Sequence, residues 1–239
     1  MTGLLKDQTV LVVGRGSGIA RAVAIVARDA GAQVVVAGRD RRGLADAYAG
    51  EPAVTTETVD LTDEASIAAL SARLGTVDHV VSTASARARG HLADLDRDAV
   101  RRSFDTKVIG PLMLAKHLAH QIGPGGSITL FSGVAAAKIA VGTMAVAITN
   151  GAADILARSL ALELAPIRVN AISPGVVDTG AWDDLGADGK RDYIDTIRRR
   201  NPTGSIGTTG DIADGVLFAM TSPFLTGTTL HIDGGEPLS

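Results

Sequence analysis

Six consecutive residues, Gly14-Arg15-Gly16-Ser17-Gly18-Ile19, follow a valine-rich run and open an Ala-rich segment. Glycine lets a backbone come close to a phosphate. A helix that starts at such a turn aims free N–H groups and a partial positive charge at the same point. Strand, glycine turn and helix start, in that order, suit the diphosphate of a dinucleotide. The second chemical signal is scarcity. The chain has two tyrosines, Tyr48 and Tyr193, one Trp and no Cys. Without Cys there are no disulfides, thiolate nucleophiles, Cys-zinc sites or iron–sulfur clusters. Five histidines show no metal-ligand spacing, and no metal is expected. A reaction that needs a phenol has only two residues to draw on.

The elements that must hold these residues alternate regularly. Short apolar runs occur at Val10–Val13, Gln33–Ala37, Val54–Val59, His79–Val81, Ser127–Phe131, Arg168–Ile172 and Thr228–Ile232. Runs of that length and apolarity are expected for parallel strands buried on both faces. The segments between the first of them have the length of crossover helices. The fold class is therefore α/β, a single doubly wound Rossmann domain over residues 1–239. Its sheet should have seven parallel strands, order 3-2-1-4-5-6-7, with helices on both faces. Residues 176–206 look like an irregular excursion that covers a substrate, with Trp182 and Tyr193 as contacts.

Charge narrows the partners. Lys and Arg total 23, Asp and Glu 26, for a net charge of −3. That balance excludes electrostatic attraction to nucleic acid or an anionic membrane as the main activity. Neither a signal peptide nor about 18 uncharged apolar residues in a row is readable, so a soluble cytoplasmic protein is expected.

The motifs resemble the short-chain dehydrogenase/reductase family over nearly the whole chain. Gly14-x-x-x-Gly18-Ile19 is similar to its glycine loop, and Asp60-Leu61-Thr62 to the acidic turn after its third strand. Ser82-Thr83-Ala84-Ser85 stands where the family has Asn-Asn-Ala-Gly. Pro174-Gly175-Val176-Val177-Asp178-Thr179 resembles its Pro-Gly segment, and Leu225-Thr226-Gly227 with Asp233-Gly234-Gly235 its C-terminal signature. The resemblance implies a nicotinamide cofactor held by Gly14, Arg15, Gly16, Ser17, Gly18, Ile19, Asp60, Leu61, Ser82, Thr83, Ala84, Pro174, Gly175, Val177 and Thr179. It also implies a homotetramer or dimer packed through the long helices near Ser103–Ile122 and Gly142–Leu164. At the end of the second strand, Gly38 occupies the place of the acid that holds the ribose of NAD, and Arg39 follows. Arg39 and Arg15 suit the 2′-phosphate of NADP(H), which is expected over NAD(H).

The likeness breaks at the redox residues. The family uses a Ser, a Tyr, a Lys four residues later and an Asn on the preceding helix. A gapless alignment places Gly133 at the Ser, with Ser132 just before it, Val146 at the Tyr, Asn150 at the Lys and Lys107 at the Asn. Valine transfers no proton. Lys and Asn are exchanged, which suggests an ammonium kept in the site from the opposite side. Candidate catalytic residues are thus Lys107, Asn150, Ser132 and Tyr193. Three functions stay open at this point. One is an atypical oxidoreductase acting on a small carbonyl or alcohol. Another is a catalytically silent NADP(H)-sensing protein. The third is a non-redox enzyme using Lys107 in the old cleft.

Overall fold

The computed structural model describes residues 3–239, apart from the side chains of residues 181, 182 and 184. The Trp182 side chain, expected against the substrate, lies outside the described residues.

Seven strands form one sheet: β1 (Thr9–Val13), β2 (Gln33–Gly38), β3 (Val54–Thr58), β4 (Val77–Ser82), β5 (Ile122–Phe131), β6 (Arg168–Pro174) and β7 (Thr229–Ile232). Their order is β3-β2-β1-β4-β5-β6-β7. All neighbours pair in parallel, as the apolar runs implied. β1 has β2 on one side and β4 on the other, so the chain changes direction across the sheet there. A crevice opens at such a switch point, at the carboxyl ends of the strands.

Alternation along the strands sorts two cores. Val10, Val12, Val34 and Val36 pack with α1 (Gly18–Asp29) and α8 (Thr209–Thr221). Leu11, Val13, Val80 and Ile128 pack on the other face, against α3 (Glu64–Arg73), α5 (Gly110–Leu118) and α6 (Met144–Glu163). The remaining helices are α2 (Arg41–Ala47), α4 (Arg97–Phe104) and α7 (Gly186–Arg200). Arg168, buried on β6, donates to Ala219 O at 2.7 Å and Met220 O at 2.6 Å. Its guanidinium thereby caps the carbonyl end of α8, where a cation is favoured.

Two expectations need correction. The long helix expected near Ser103–Ile122 begins earlier and is interrupted: α4, a π-helical turn at Asp105–Ile109, then α5. The excursion 176–206 is not irregular, because α7 fills about half of it. It leaves and returns at one point, where Gly207 N donates to Val176 O at 3.0 Å and Asp178 N to Gly207 O at 3.2 Å. By length and composition alone α6 could cross a membrane, with a mean hydropathy of 1.2 over 18 residues. In the fold it lies on β5 and β6, with Ala153, Ala157 and Leu160 buried.

Candidate active site

The glycine loop sits at the switch point. Gly14 N donates to Ala37 O and Thr83 N to Val13 O, each at 2.9 Å, which ties the turn to β2 and β4. Gly14 has no room for a side chain: a Cβ would overlap Thr83 Oγ1 and come within 2.8 Å of Ala20 Cβ. A Cβ on Gly16 would meet Ala47 Cβ at 2.6 Å. Gly18 has φ +58°, and a Cβ there would lie 3.6 Å from Thr179 Cβ. The loop and the Pro174–Thr179 segment therefore meet across the crevice. Ile19 packs partly buried on the core below. Ser17 precedes α1 without a capping hydrogen bond from its side chain, so the first-turn N–H groups remain available.

The expected adenosine end is built from three strand ends. Asp60 Oδ1 accepts from Thr62 N at 2.9 Å and Thr62 Oγ1 at 2.8 Å. The Thr62 N–H, more than the nearby Arg39 guanidinium, holds its carboxyl below the usual range. Leu61 is buried beneath, against Gly110. A Cβ at Gly38 would stand 2.8 Å from Gly14 O, so this backbone leaves no space for an acidic side chain there. Arg15 has a different neighbour from Arg39. Its charge acts on Arg87, in the loop after β4.

At the other end, Gly175 N donates to Ile232 O at 3.0 Å, and a Cβ on Gly175 would meet Asp233 Cα at 2.8 Å. This contact fixes Pro174 and Val177 beside β7. Thr83 Oγ1 donates to Val13 O at 3.1 Å, and Ala84 packs partly buried behind it. Ser82 Oγ and Asn150 Oδ1 are buried without a hydrogen-bond partner. Such atoms are rare and mark where a ligand or water is met. Together with the glycine cradle, which any side chain would fill, they fit a nicotinamide dinucleotide laid across the switch point.

Lys107 occupies the π turn. Pro111, four residues on, has no N–H to give to Lys107 O, and its ring crowds that carbonyl. The helix widens by one residue there, as is common at functional sites. Lys107 is 8% exposed, and its Nζ donates to Ser132 O at 3.0 Å. Burial, with the Arg87 guanidinium nearby, pushes the ammonium down to about 7 against the pull of Asp154. Asn150, 2% exposed on α6, donates from Nδ2 to Gly133 O at 3.1 Å. Lys107 and Asn150 thus donate to adjacent carbonyls, those of Ser132 and Gly133. Ser132 Oγ is spent locally, donating to Asn150 O at 3.1 Å. A serine at Gly133 would have to displace the Asn150 amide, because a Cβ there would lie 2.9 Å from Asn150 Nδ2. Val146 is buried one turn before Asn150.

Of the two tyrosines, Tyr48 ends α2 with its ring buried in the core and Arg21 5.8 Å from the ring centroid. It has no part in the site. Tyr193, on α7, is half-buried. Burial, with the Glu236 carboxylate, raises its phenol, against Arg89 and Arg87. The structure therefore adds Arg87, Arg89, Asp154 and Glu236 to the neighbourhood. Glu236 is buried near the C-terminus, and its carboxylate accepts from Val176 N at 3.1 Å. The one signal in the sequence that could have found the arginines is the Arg-Ala-Arg run at 87–89, with four residues between it and the end of the fourth strand.

Comparison with known proteins agrees with this geometry. A family model described as enoyl-(acyl carrier protein) reductase matches residues 13–236. L-xylulose reductase of Mus musculus is 32% identical, over 97% of this chain and 97% of its own. A solved small-chain dehydrogenase in complex with NADPH is 31% identical with TM-score 0.85, covering 98% of this chain and 100% of its own. The MalC reductase/Diels–Alderase of Malbranchea aurantiaca is 30% identical with TM-score 0.91, covering 99% of each chain. The chain belongs to the short-chain dehydrogenase/reductase family.

Proposed function

We propose that this protein is an NADP(H)-dependent oxidoreductase that reduces the carbonyl of a small molecule, with Lys107 as its proton donor. The observation that carries the reading is the Lys107 ammonium, buried under the crevice on Ser132 O with its proton affinity brought near neutrality. An acid with a pKa near the working pH is the efficient one. Bound in the crevice, the cofactor would supply the hydride. Lys107 would hold a proton at Nζ and favour negative charge developing on the substrate oxygen. Asn150 would keep the neighbouring carbonyl turned away, and α7 would limit water. A mouse relative that reduces L-xylulose, and a solved relative that holds NADPH, support both the reaction and the cofactor. Arg39, next to the blocked Gly38 position, favours the 2′-phosphate.

We also propose a homo-oligomer, dimer or tetramer. Met144, Ile148, Ile155 and Leu162 line an exposed stripe on α6, and Ile109 and Leu112 are exposed at the start of α5. Light scattering of the full chain reads its size.

Fluorescence titration with NADPH and NADH, then a carbonyl panel followed at the nicotinamide absorbance, tests the main reading. NADPH should bind more tightly than NADH. Arg39→Ala should weaken NADPH about tenfold and leave NADH nearly unchanged, as loss of a charge-assisted bond requires. Lys107→Ala should abolish turnover while NADPH still binds. Full activity in that variant removes Lys107 as the donor. NADPH binding with no turnover in the parent protein would favour a silent sensor instead.

A further inference from the structure

We propose that Glu236 is a positioning residue: its carboxylate, bonded to the Val176 N–H, clasps the base of the substrate cover, residues 176–206, to the loop that carries Ser132 and Gly133. The inference rests on the reading of this crevice as a carbonyl-reducing site and adds what holds its cover in place. The cover has little else to hold it. Of α7 only Ile194 is buried. Lys190 pairs with Asp178 at 3.0 Å and with Asp183 at 2.9 Å, but both carboxylates are exposed, and such pairs contribute little. With so little apolar burial, the closed position depends on polar ties at the base.

Those ties converge on residues 233–239. At the entry to the cover, Glu236 Oε2 accepts from Val176 N at 3.1 Å, and both residues are buried. A backbone N–H on a carboxylate out of water makes a charge-assisted bond, stronger than a neutral one. At the exit, Asn201 Nδ2 donates to Asp233 O at 3.2 Å and Thr203 N to Gly234 O at 3.3 Å. Gly234, at φ +63°, presses so close that a Cβ would meet the Asn201 amide at 2.7 Å. On a third side, Lys138 Nζ donates to Glu236 O at 3.0 Å and to Ser239 Oγ at 2.9 Å. Lys138 belongs to the loop after β5, which begins with Ser132, whose carbonyl receives Lys107. The chain end thus joins both ends of the cover to the loop beside the proton donor. Glu236 makes two of these ties, one with its side chain and one with its carbonyl. Without the carboxylate the Val176 N–H loses its acceptor, and the cover trades its closed position for open ones. A substrate that binds under the closed cover then binds more weakly in proportion to the closed fraction. The chemistry beneath is unchanged once the cover is shut.

Kinetics at saturating NADPH and limited trypsin digestion of the full chain test this, with Glu236→Ala, Glu236→Asp and Glu236→Gln. The carbonyl is L-xylulose, or the compound of the panel that is turned over fastest. Ala removes the acceptor. Asp keeps the charge but falls one methylene short of Val176 N, and Gln keeps an acceptor oxygen at the same reach. Ala and Asp should raise KM about tenfold, the range of a charge-assisted bond, with kcat within about twofold. Trypsin should cut α7 between Lys190 and Arg200 about tenfold faster in both, because cleavage follows the open fraction. Gln should stay within about threefold of the parent in both readouts, as a neutral bond in place of a charged one allows. Circular dichroism checks that each variant folds, and Asp carries the test if Ala does not. If neither folds, Glu236 serves the fold as a whole and the proposal falls. An unmoved KM or an unmoved cleavage rate in the folded variants also overturns it, as does a fall in kcat with KM unchanged. So does a Gln variant as impaired as Ala, because the charge and not the tie to Val176 is then what counts. Faster cleavage in Ala and Asp, with Gln like the parent and no carbonyl turned over by any of them, sustains the clasp and overturns the redox reading alone.

Discussion

Replacing Lys107 with Met should make the protein more stable at neutral pH while abolishing its activity. The fall of the ammonium from 10.5 to about 7 is worth roughly 5 kcal/mol between its two protonation states. At pH 7 about 4 kcal/mol of that cost rests on the folded state. Met removes the cost and keeps most of the volume. It also leaves Ser132 O, on a buried residue just past β5, without its donor, which offsets about 1–3 kcal/mol. The net expectation is about 1–3 kcal/mol of added stability, and each kcal/mol moves Tm by about 2–4 °C in a domain of this size. The sign of the pH dependence is fixed. Unfolded lysine holds its proton up to 10.5, folded Lys107 only to about 7. Between those values the unfolded chain binds more protons, so the parent gains stability as pH rises and the variant does not. Urea denaturation followed by circular dichroism at about pH 7 and 9.5 should show the gap between the two proteins shrinking by about 3 kcal/mol. A variant less stable than its parent at pH 7, or a gap unchanged by pH, would refute the reasoning.

Two further outcomes follow from neighbouring packing. Gly133→Ser should destabilise by about 1–3 kcal/mol, because its Cβ meets Asn150 Nδ2 at 2.9 Å. Paired with Asn150→Ala in a double-mutant cycle, the same change should cost much less; additive costs would show that Asn150 is not the obstacle. His79 lies in β4, bonded through Nδ1 to Ser127 Oγ at 2.8 Å and through Nε2 to Gln8 Oε1 at 3.2 Å. Burial pushes its imidazole from 6.5 down to about 4. The unfolded chain therefore takes up the proton first, and about 3 kcal/mol of stability is lost as pH falls from 6.5 to 4. His79→Gln should flatten the unfolding midpoint over that range, and an unchanged slope would remove the assignment.

The sheet was legible because parallel strands buried on both faces leave unbroken apolar runs, and Val10–Val13 or Ser127–Phe131 can hardly be anything else. Alpha7 was hidden for the opposite reason. Of its fifteen residues only Ile194 is buried, and exposed pairs such as Arg191–Asp188 and Arg198–Asp195 line its surface. A helix with so little apolar periodicity reads as a loop. The cofactor end was legible as well, since its glycines answer to backbone approach, which the residue type itself records. The chemical end was legible only in part. The exchange of Lys and Asn is written in the sequence, and so is Pro111, which cannot donate to the Lys107 carbonyl and widens the helix there. What no spacing records is the acceptor. Ser132 O comes from the residue after β5, Asp154 from α6 and Arg87 from the loop after β4, and only the folded sheet brings them near one ammonium. The charge state of Lys107 is therefore a property of three elements at once. For that reason its stability and its chemistry should respond together to changes in any one of them.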